Sequence, residues 1–128
     1  MSEPYEQVIP YVRHAGTILM AGHSDPAKSS RCAMHFFKKG IVPIDFMCIG
    51  AAANHQTAKA MQLFRIQILQ DTDGIDVSFT PLRYTTVTVT EGVETVKDCT
   101  VWKTVFNTKD SKGSVYEIPR STKISGED

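Results

Sequence analysis

A chain of 128 residues with 41% hydrophobic and 22% charged residues has the size and composition of a single soluble domain. Fourteen Lys and Arg balance fourteen Asp and Glu, so the formal net charge of zero argues against a protein that coats nucleic acid by bulk charge alone. No apolar run reaches the roughly 20 residues of a membrane span, and the acidic N-terminus lacks the apolar core of a secretory signal. We therefore expect a cytoplasmic protein without membrane contact.

The first half of the chain predicts strands and helices in alternation. Residues 1–16 contain two prolines and no sustained period, which indicates an N-terminal extension. Apolar runs and helical periodicity then predict strand 17–21, helix 26–39, strand 41–49 and helix 51–70. The first helix has clear boundary signals, because Asp25 can cap it, Pro26 needs no N–H in the first turn, and Gly40 can end it.

The second half predicts a long β-hairpin. The runs 75–89 and 93–106 are rich in β-branched and aromatic residues, and residues 90–92 between them have the composition of a turn. Pro81 lies inside the first run, so that strand is either bulged or at a sheet edge there. Residues 108–128 are rich in Lys, Ser, Thr and Asp and indicate a flexible C-terminal tail with one candidate ordered patch at 115–118.

The resulting order, β-α-β-α-β-β, predicts an α/β domain over residues 17–107. Two helices on one face of a four-stranded mixed sheet satisfy this order. The β-α-β connection makes the first two strands parallel, and the final hairpin is antiparallel.

The neutral charge conceals an asymmetry along the chain. From Gly22 to Arg65 there are six bases and two acids, a local charge of +4, whereas from Asp71 to Asp98 two bases and six acids give −4. These segments form either two solvated faces of opposite sign or a basic surface for a polyanion with an acidic region elsewhere.

The chain lacks the motifs of an enzyme or a metal site. None of His14, His23, His35 and His55 belongs to a metal-binding pattern, no serine lies in a nucleophile elbow, and no paired carboxylates occur. The three cysteines Cys32, Cys48 and Cys99 form no C-x-x-C pair and predict buried free thiols. We therefore expect no enzyme, no metal and no cofactor.

Two features remain ambiguous from the residues alone. The small-residue turn 50–53 lies directly before a helix and could admit a phosphate to the free N–H groups there, or it could allow close packing of the helix. Trp102 and Tyr84 could stack on nucleic-acid bases or pack within the sheet.

The segment from Cys48 to Ala60 resembles the stage V sporulation protein S family, in which a strand ending in A-I-G precedes A-G-A-x-N-Q-A-x-K-A. The matching positions are Ile49, Gly50, Ala51, Ala53, Gln56, Lys59 and Ala60. Ala52 replaces a glycine of the pattern and His55 an asparagine. Residues 75–81 are similar to the family's V-D-L-x-x-x-P strand, and the likeness covers residues 17–106.

This resemblance implies an Alba-like two-layer fold of the same element order and a dimer that binds DNA or RNA. It implies phosphate contacts from the first loop and first helix and from the second-helix motif. The expected contacts are Lys28, Ser29, Arg31 and Lys59, with Lys38 and Lys39 secondary and a backbone anion site at Gly50 and Ala51. A regulatory or chromatin-type, nucleoid-associated role would follow.

The chain also departs from that group. The hairpin tip is acidic where a DNA-binding arm would be basic, and the paired lysines of the first Alba loop are absent. The extension and the tail indicate a divergent member, phage-encoded or from a genome outside the spore formers. A protein–protein interaction module with the same fold, and more weakly a small-ligand binder at the Gly50 turn, therefore remain alternatives.

The hairpin further predicts a homodimer or a tetramer, because two helices cannot bury all of its apolar side chains. These side chains are Val87, Val89, Val93, Val101, Trp102, Val105 and Phe106.

Overall fold

Two helices pack on one face of a mixed β-sheet in the computed structural model, which describes residues 9–109 and 115–117. The elements are β1 (Thr17–Met20), α1 (Pro26–Lys39), β2 (Asp45–Cys48), α2 (Ala51–Asp71), β3 (Ile75–Thr90), β4 (Val93–Lys109) and β5 (Val115–Glu117). The sheet order is β1-β2-β4-β3, and β5 pairs with the end of β4. This confirms the predicted two-layer β-α-β-α-β-β architecture, while the predictions for residues 1–8, 110–114 and 118–128 lie outside the described residues.

The two strands that precede the helices end at the same edge of the sheet. β1 pairs with β2 in parallel, from Thr17 opposite Asp45 to Met20 opposite Cys48. Because parallel strands end at the same edge, the loop after β1 meets the start of α2 there. Neither helix in the described ranges is long and apolar enough to cross a membrane.

Helix α1 has the boundaries that its sequence signals predict. Asp25 Oδ1 accepts a hydrogen bond from the Ala27 N–H at 3.0 Å, and Pro26 occupies the first helical position. Gly40 ends the helix in the left-handed conformation, with φ of 71°, and its N–H donates to the Phe37 carbonyl at 3.1 Å.

The core lies between the helices and the sheet and is centred on Phe64 of α2. The Phe64 ring lies 6.4 Å, centroid to centroid, from each of Phe46, Phe79 and Phe106. The predicted inward face of α2 is confirmed, because all of its members are buried. They are Thr57, Ala60, Met61, Phe64 and Ile68.

Strand β2 is shorter than the predicted 41–49. The Ile41 N–H donates to the Phe36 carbonyl at 2.9 Å, so it completes the end of α1 instead of joining the sheet. Pro43 has no N–H to contribute to a ladder. The remaining residues, Asp45–Cys48, are all buried, as expected for a strand covered on both faces.

The hairpin is longer and more regular than predicted. β3 and β4 pair residue by residue from Ile75 opposite Thr108 to Thr90 opposite Val93, with no bulge. Pro81 therefore lies in a strand whose partner in the sheet order is β4 alone, which selects the edge alternative. The turn has two residues, Glu91 and Gly92, with φ of 52° and 79°, whose left-handed conformation matches the twist of a hairpin.

The second face of the sheet is partly covered by residues 9–16, which we call the strap. The Tyr11 N–H donates to the Thr85 carbonyl at 2.9 Å, and the Thr85 N–H donates to the Ile9 carbonyl at 2.8 Å. The Tyr11 ring meets Tyr84 edge to face at 5.4 Å, and both pack against a cluster that includes buried Cys99 and Val101. The described part of the predicted extension thus packs on the domain.

A buried carboxylate anchors the strap to the centre of the sheet. Asp45 is 2% exposed, and its Oδ2 lies 2.9 Å from the Tyr11 hydroxyl that donates to it and 2.8 Å from His14 Nε2. His14 Nδ1 accepts from the Gly16 N–H at 3.1 Å, so Nε2 carries the proton that Asp45 accepts. Burial, together with the nearby Asp45 carboxylate, holds the pKa of Tyr11 well above its usual range.

The packing of Phe64 generates a stability prediction. Phe64→Ala should lower the free energy of unfolding by about 3–5 kcal/mol, because it opens a cavity among three aromatic rings. Leu69→Ala on the same helix is the matched control: Leu69 is 46% exposed, and its loss should cost less than about 1 kcal/mol. Urea unfolding followed by circular dichroism measures both, and equal losses would contradict this description of the core.

Candidate nucleic-acid interface

The loop between β1 and α1 lies against the first turns of α2. Gln56 Nε2 donates to the Gly22 carbonyl at 3.3 Å, and a Cβ placed on Gly22 would lie 2.9 Å from the Ala52 Cβ. Only glycine at position 22 allows this approach without displacement of the helix. The loop before α1 and the start of α2 therefore form one continuous surface.

Helix α2 begins without a side-chain cap. Gly50 precedes it with φ of 89°, and no side chain of the N-cap position bonds to the first N–H groups. Nothing in the described structure lies within 4 Å of the Cβ position of Gly50, and Ala51 and Ala52 are exposed. The positive end of this helix is thus open on the side of the Gly50 turn.

Asn54 fixes the turn before α2, and sequence reasoning did not single it out. Its Nδ2 donates to the Gly50 carbonyl at 3.0 Å. Its Oδ1 accepts from the Trp102 indole N–H at 3.0 Å and from the Cys48 thiol at 3.2 Å. The local signals for this role were an asparagine one helical turn after the glycine and a cysteine six residues before that asparagine, whereas Trp102 lies 48 residues away.

This network decides between the two sequence-based roles of Trp102. The ring is half-buried, packs against the core and is held by Asn54, so Trp102 is a sheet-packing residue. Tyr84 likewise packs against Tyr11 of the strap.

The cysteines are free thiols, as predicted, although Cys32 is only half-buried. Burial raises the pKa of the thiols of Cys32, Cys48 and Cys99, which keeps them protonated at neutral pH. Across residues 9–109 and 115–117, no three His, Cys, Asp or Glu side chains come together in a way that could hold a metal ion.

The charged side chains of the helical layer are almost all positive. Six bases lie on α1 and α2, and Asp71 is the one acid within these helices. The bases are Lys28, Arg31, Lys38, Lys39, Lys59 and Arg65. Arg65 pairs with Asp76 at 2.8 and 3.0 Å, whereas the other five are exposed and form no ion pair with any described residue.

The segment from Gly22 to Arg65 contains two acids, and neither lies among the exposed bases of the helices. The Asp25 carboxylate caps the start of α1. Asp45 is buried beneath the strap on the opposite face of the sheet. Neither acid neutralises the five exposed bases by an ion pair.

The predicted contact residues on α1 fall into two groups. Lys28, Ser29 and Arg31 lie in the first half of α1, whereas Lys38 and Lys39 lie in its last turn, roughly 15 Å farther along the axis. There, the two lysines favourably meet the negative end of the helix dipole. Lys38 and Lys39 therefore belong to the basic layer but lie far from the start of α1.

A surface groove between the helices connects Arg31 with the second half of α2. It has a volume of about 320 Å³ and is lined by Ala27, Ser30, Arg31, Leu63, Ile66, Gln67 and Gln70. Lys28 and Lys59 flank it, because Lys28 lies three residues before Arg31 and Lys59 four residues before Leu63 on the same helix faces. Ala51 lies roughly 18 Å from Leu63 back along the axis of α2, and Lys59 lies between them, so basic surface extends from the groove towards the start of this helix.

The hairpin from Ile75 to Lys109 carries four acids and four bases. Asp98 pairs with Arg83 at 2.9 Å near its base, and exposed Glu91 and Glu94 lie at its tip. Most acids of the −4 segment lie on this hairpin, whereas the +4 segment supplies the bases of both helices.

No family model matches the chain, and a search of curated proteins gives no significant match. The resemblance to the stage V sporulation protein S family accordingly stays a prediction.

The Asn54 network predicts a local defect. Asn54→Ala should lower the free energy of unfolding by about 1–3 kcal/mol, because it leaves the Trp102 N–H without its acceptor and the Cys48 thiol with the Thr100 carbonyl alone, at 3.5 Å. The emission of the single tryptophan should change as well. His55→Ala, the exposed neighbour, should stay within about 0.5 kcal/mol. If the two variants are equally stable, the network does not hold the turn.

Proposed function

We propose that this protein binds nucleic acid, DNA or RNA, through the phosphate backbone at its helical layer. The observation that carries this proposal is the set of five exposed bases that form no ion pair with a described residue, on two helices with a single acid. Such a surface releases counterions when it meets a polyanion, which favours binding without any sequence-specific contact.

The arrangement of the helices supports phosphate recognition. Lys28, Arg31 and Lys59 supply side-chain charge, and the uncapped start of α2 adds backbone N–H groups and the positive end of a helix dipole. Contacts of this kind position a protein on the backbone and carry no sequence information. A regulatory or chromatin-type role suits such binding, in agreement with the resemblance to the sporulation protein and Alba-like group.

The neutral net charge is compatible with this proposal because the charge is separated in space. The hairpin carries four acids and four bases, whereas the two helices carry six bases and one acid, so excess positive charge lies on the helical layer and would orient it towards a polyanion. Binding should therefore weaken steeply as salt increases.

A second candidate function is a protein–protein interaction module. The observation that favours it is the hairpin tip, where Val87, Val89, Val93 and Val96 are between 52% and 65% exposed. Exposed apolar side chains in such number mark an interaction surface more often than an ordinary solvated one.

Paired charge reversals test where nucleic acid binds. Lys28→Glu with Arg31→Glu should weaken binding to duplex DNA, single-stranded DNA or RNA roughly tenfold or more, and should lower the salt slope by about two, one for each lost phosphate contact. Fluorescence anisotropy at two salt concentrations measures both quantities, with circular dichroism as the check on folding.

Lys38→Glu with Lys39→Glu is the matched control, since it changes the net charge equally at the other end of α1. It should cause the smaller loss. Equal losses of affinity in the two double variants would assign binding to bulk charge. If Arg83→Ala loses affinity while Lys28→Glu/Arg31→Glu binds normally, the site lies on the hairpin. If the unaltered protein binds none of the three nucleic acids at low salt, the interaction module is favoured instead.

A further inference from the structure

The tip of the hairpin projects from the body of the protein. β2 pairs with β4 at Asp45–Cys48 opposite residues 100–103, and the strap reaches β3 at Thr85, so residues 86–97 pair only with one another among the described strands. Five residues in each arm extend it by roughly 17 Å. A two-stranded hairpin alone is marginally stable in water, so this one gains from a partner surface.

The tip has two chemically different faces. Val87 lies directly opposite Val96, and Val89 lies opposite Glu94, so these four side chains share one face, which we call the valine face. The other face pairs Thr86 with Lys97, Thr88 with Thr95 and Thr90 with Val93. The valine face combines an exposed apolar patch with a carboxylate.

The groove between α1 and α2 has the complementary chemistry. Its apolar members Leu63 and Ile66 are 40% and 52% exposed, and the Arg31 guanidinium group lines the same groove. Lys28 and Lys59 flank it on the helix faces described above. It therefore presents an apolar surface bordered by positive charge.

We propose that the valine face of one copy docks in the helix groove of a second copy. The contact covers valine side chains with Leu63 and Ile66 and brings Glu94 towards the basic border of the groove. This proposal goes beyond nucleic-acid binding and does not depend on it.

Charge favours this pairing over the two symmetric alternatives. A groove placed on a second groove would bring together Arg31, Lys28 and Lys59 of both copies, and a hairpin tip placed on a second tip would bring together Glu91 and Glu94 of both copies. Like charges at an interface are unfavourable, so each element pairs better with the other. A reciprocal exchange, in which each hairpin occupies the partner's groove, gives a closed dimer.

This contact has a consequence for the proposed polyanion surface. The hairpin would cover Arg31 and approach Lys28 and Lys59, which are the bases assigned to phosphate contacts. Self-association and nucleic-acid binding would therefore compete for the same surface.

Complementation between two variants tests the docking. A hairpin variant, Val87→Thr/Val96→Thr, and a groove variant, Leu63→Gln/Ile66→Gln, should each shift the dissociation constant of the dimer at least tenfold in sedimentation velocity. The controls are Val93→Thr on the other face of the tip and Leu69→Gln outside the groove, and both should associate like the unaltered protein. Mixing the hairpin and groove variants leaves one intact contact, so the mean mass should exceed that of either variant alone.

Four results would overturn the proposal. These are a monomer at high micromolar concentration, no mass increase on mixing, weakened association in the groove variant but not in the hairpin variant, and weakened association in the hairpin variant but not in the groove variant. The third and fourth would identify groove-to-groove and hairpin-to-hairpin contacts. Because no nucleic acid is present, failure of the proposed function leaves these outcomes unchanged.

Discussion

The parallel pairing of β1 with β2 is the constraint on which the rest of the structure depends. It brings the loop after β1 and the start of α2 to one edge of the sheet, where Gly22 lies against Ala52 and Gln56 donates to the Gly22 carbonyl. Asn54 then ties the start of α2 to β4 through the Trp102 indole. The basic surface is therefore built on rigid elements that cross the whole sheet, which limits how far its charges can move apart.

The helices carry an excess of positive charge. Five of their six bases form no ion pair with a described residue, because one acid of the basic segment caps α1 and the other, Asp45, is buried with Tyr11 and His14 on the far side of the sheet. Four of the fourteen acids lie on β3, β4 and their turn, among them Glu91 and Glu94 at the hairpin tip. The same distribution of charge that suits a polyanion also makes the hairpin tip complementary to the helical layer of a second copy, which links the two proposals through one electrostatic property.

Local signals were sufficient where local interactions decide the structure. Asp25, Pro26 and Gly40 define α1, and the spacing from Thr57 to Ile68 predicted the buried face of α2. The features that the sequence did not predict have two causes. Ile41 leaves the predicted strand through a local contact, because its N–H completes the end of α1 at Phe36. The role of Asn54 depends on a distant segment, because Trp102 lies 48 residues away. The strap had no periodic signal because a sheet edge and a buried carboxylate determine its path.

Mapping of the bound surface by NMR tests the central claim most directly. A short oligonucleotide added to ¹⁵N-labelled protein at low salt should shift amide signals of residues 22–31 and 51–59. These shifts should vanish as salt increases, because phosphate contacts release counterions. Shifts confined to residues 86–97, or no shifts at low salt, would contradict the assignment of nucleic-acid binding to the helical layer.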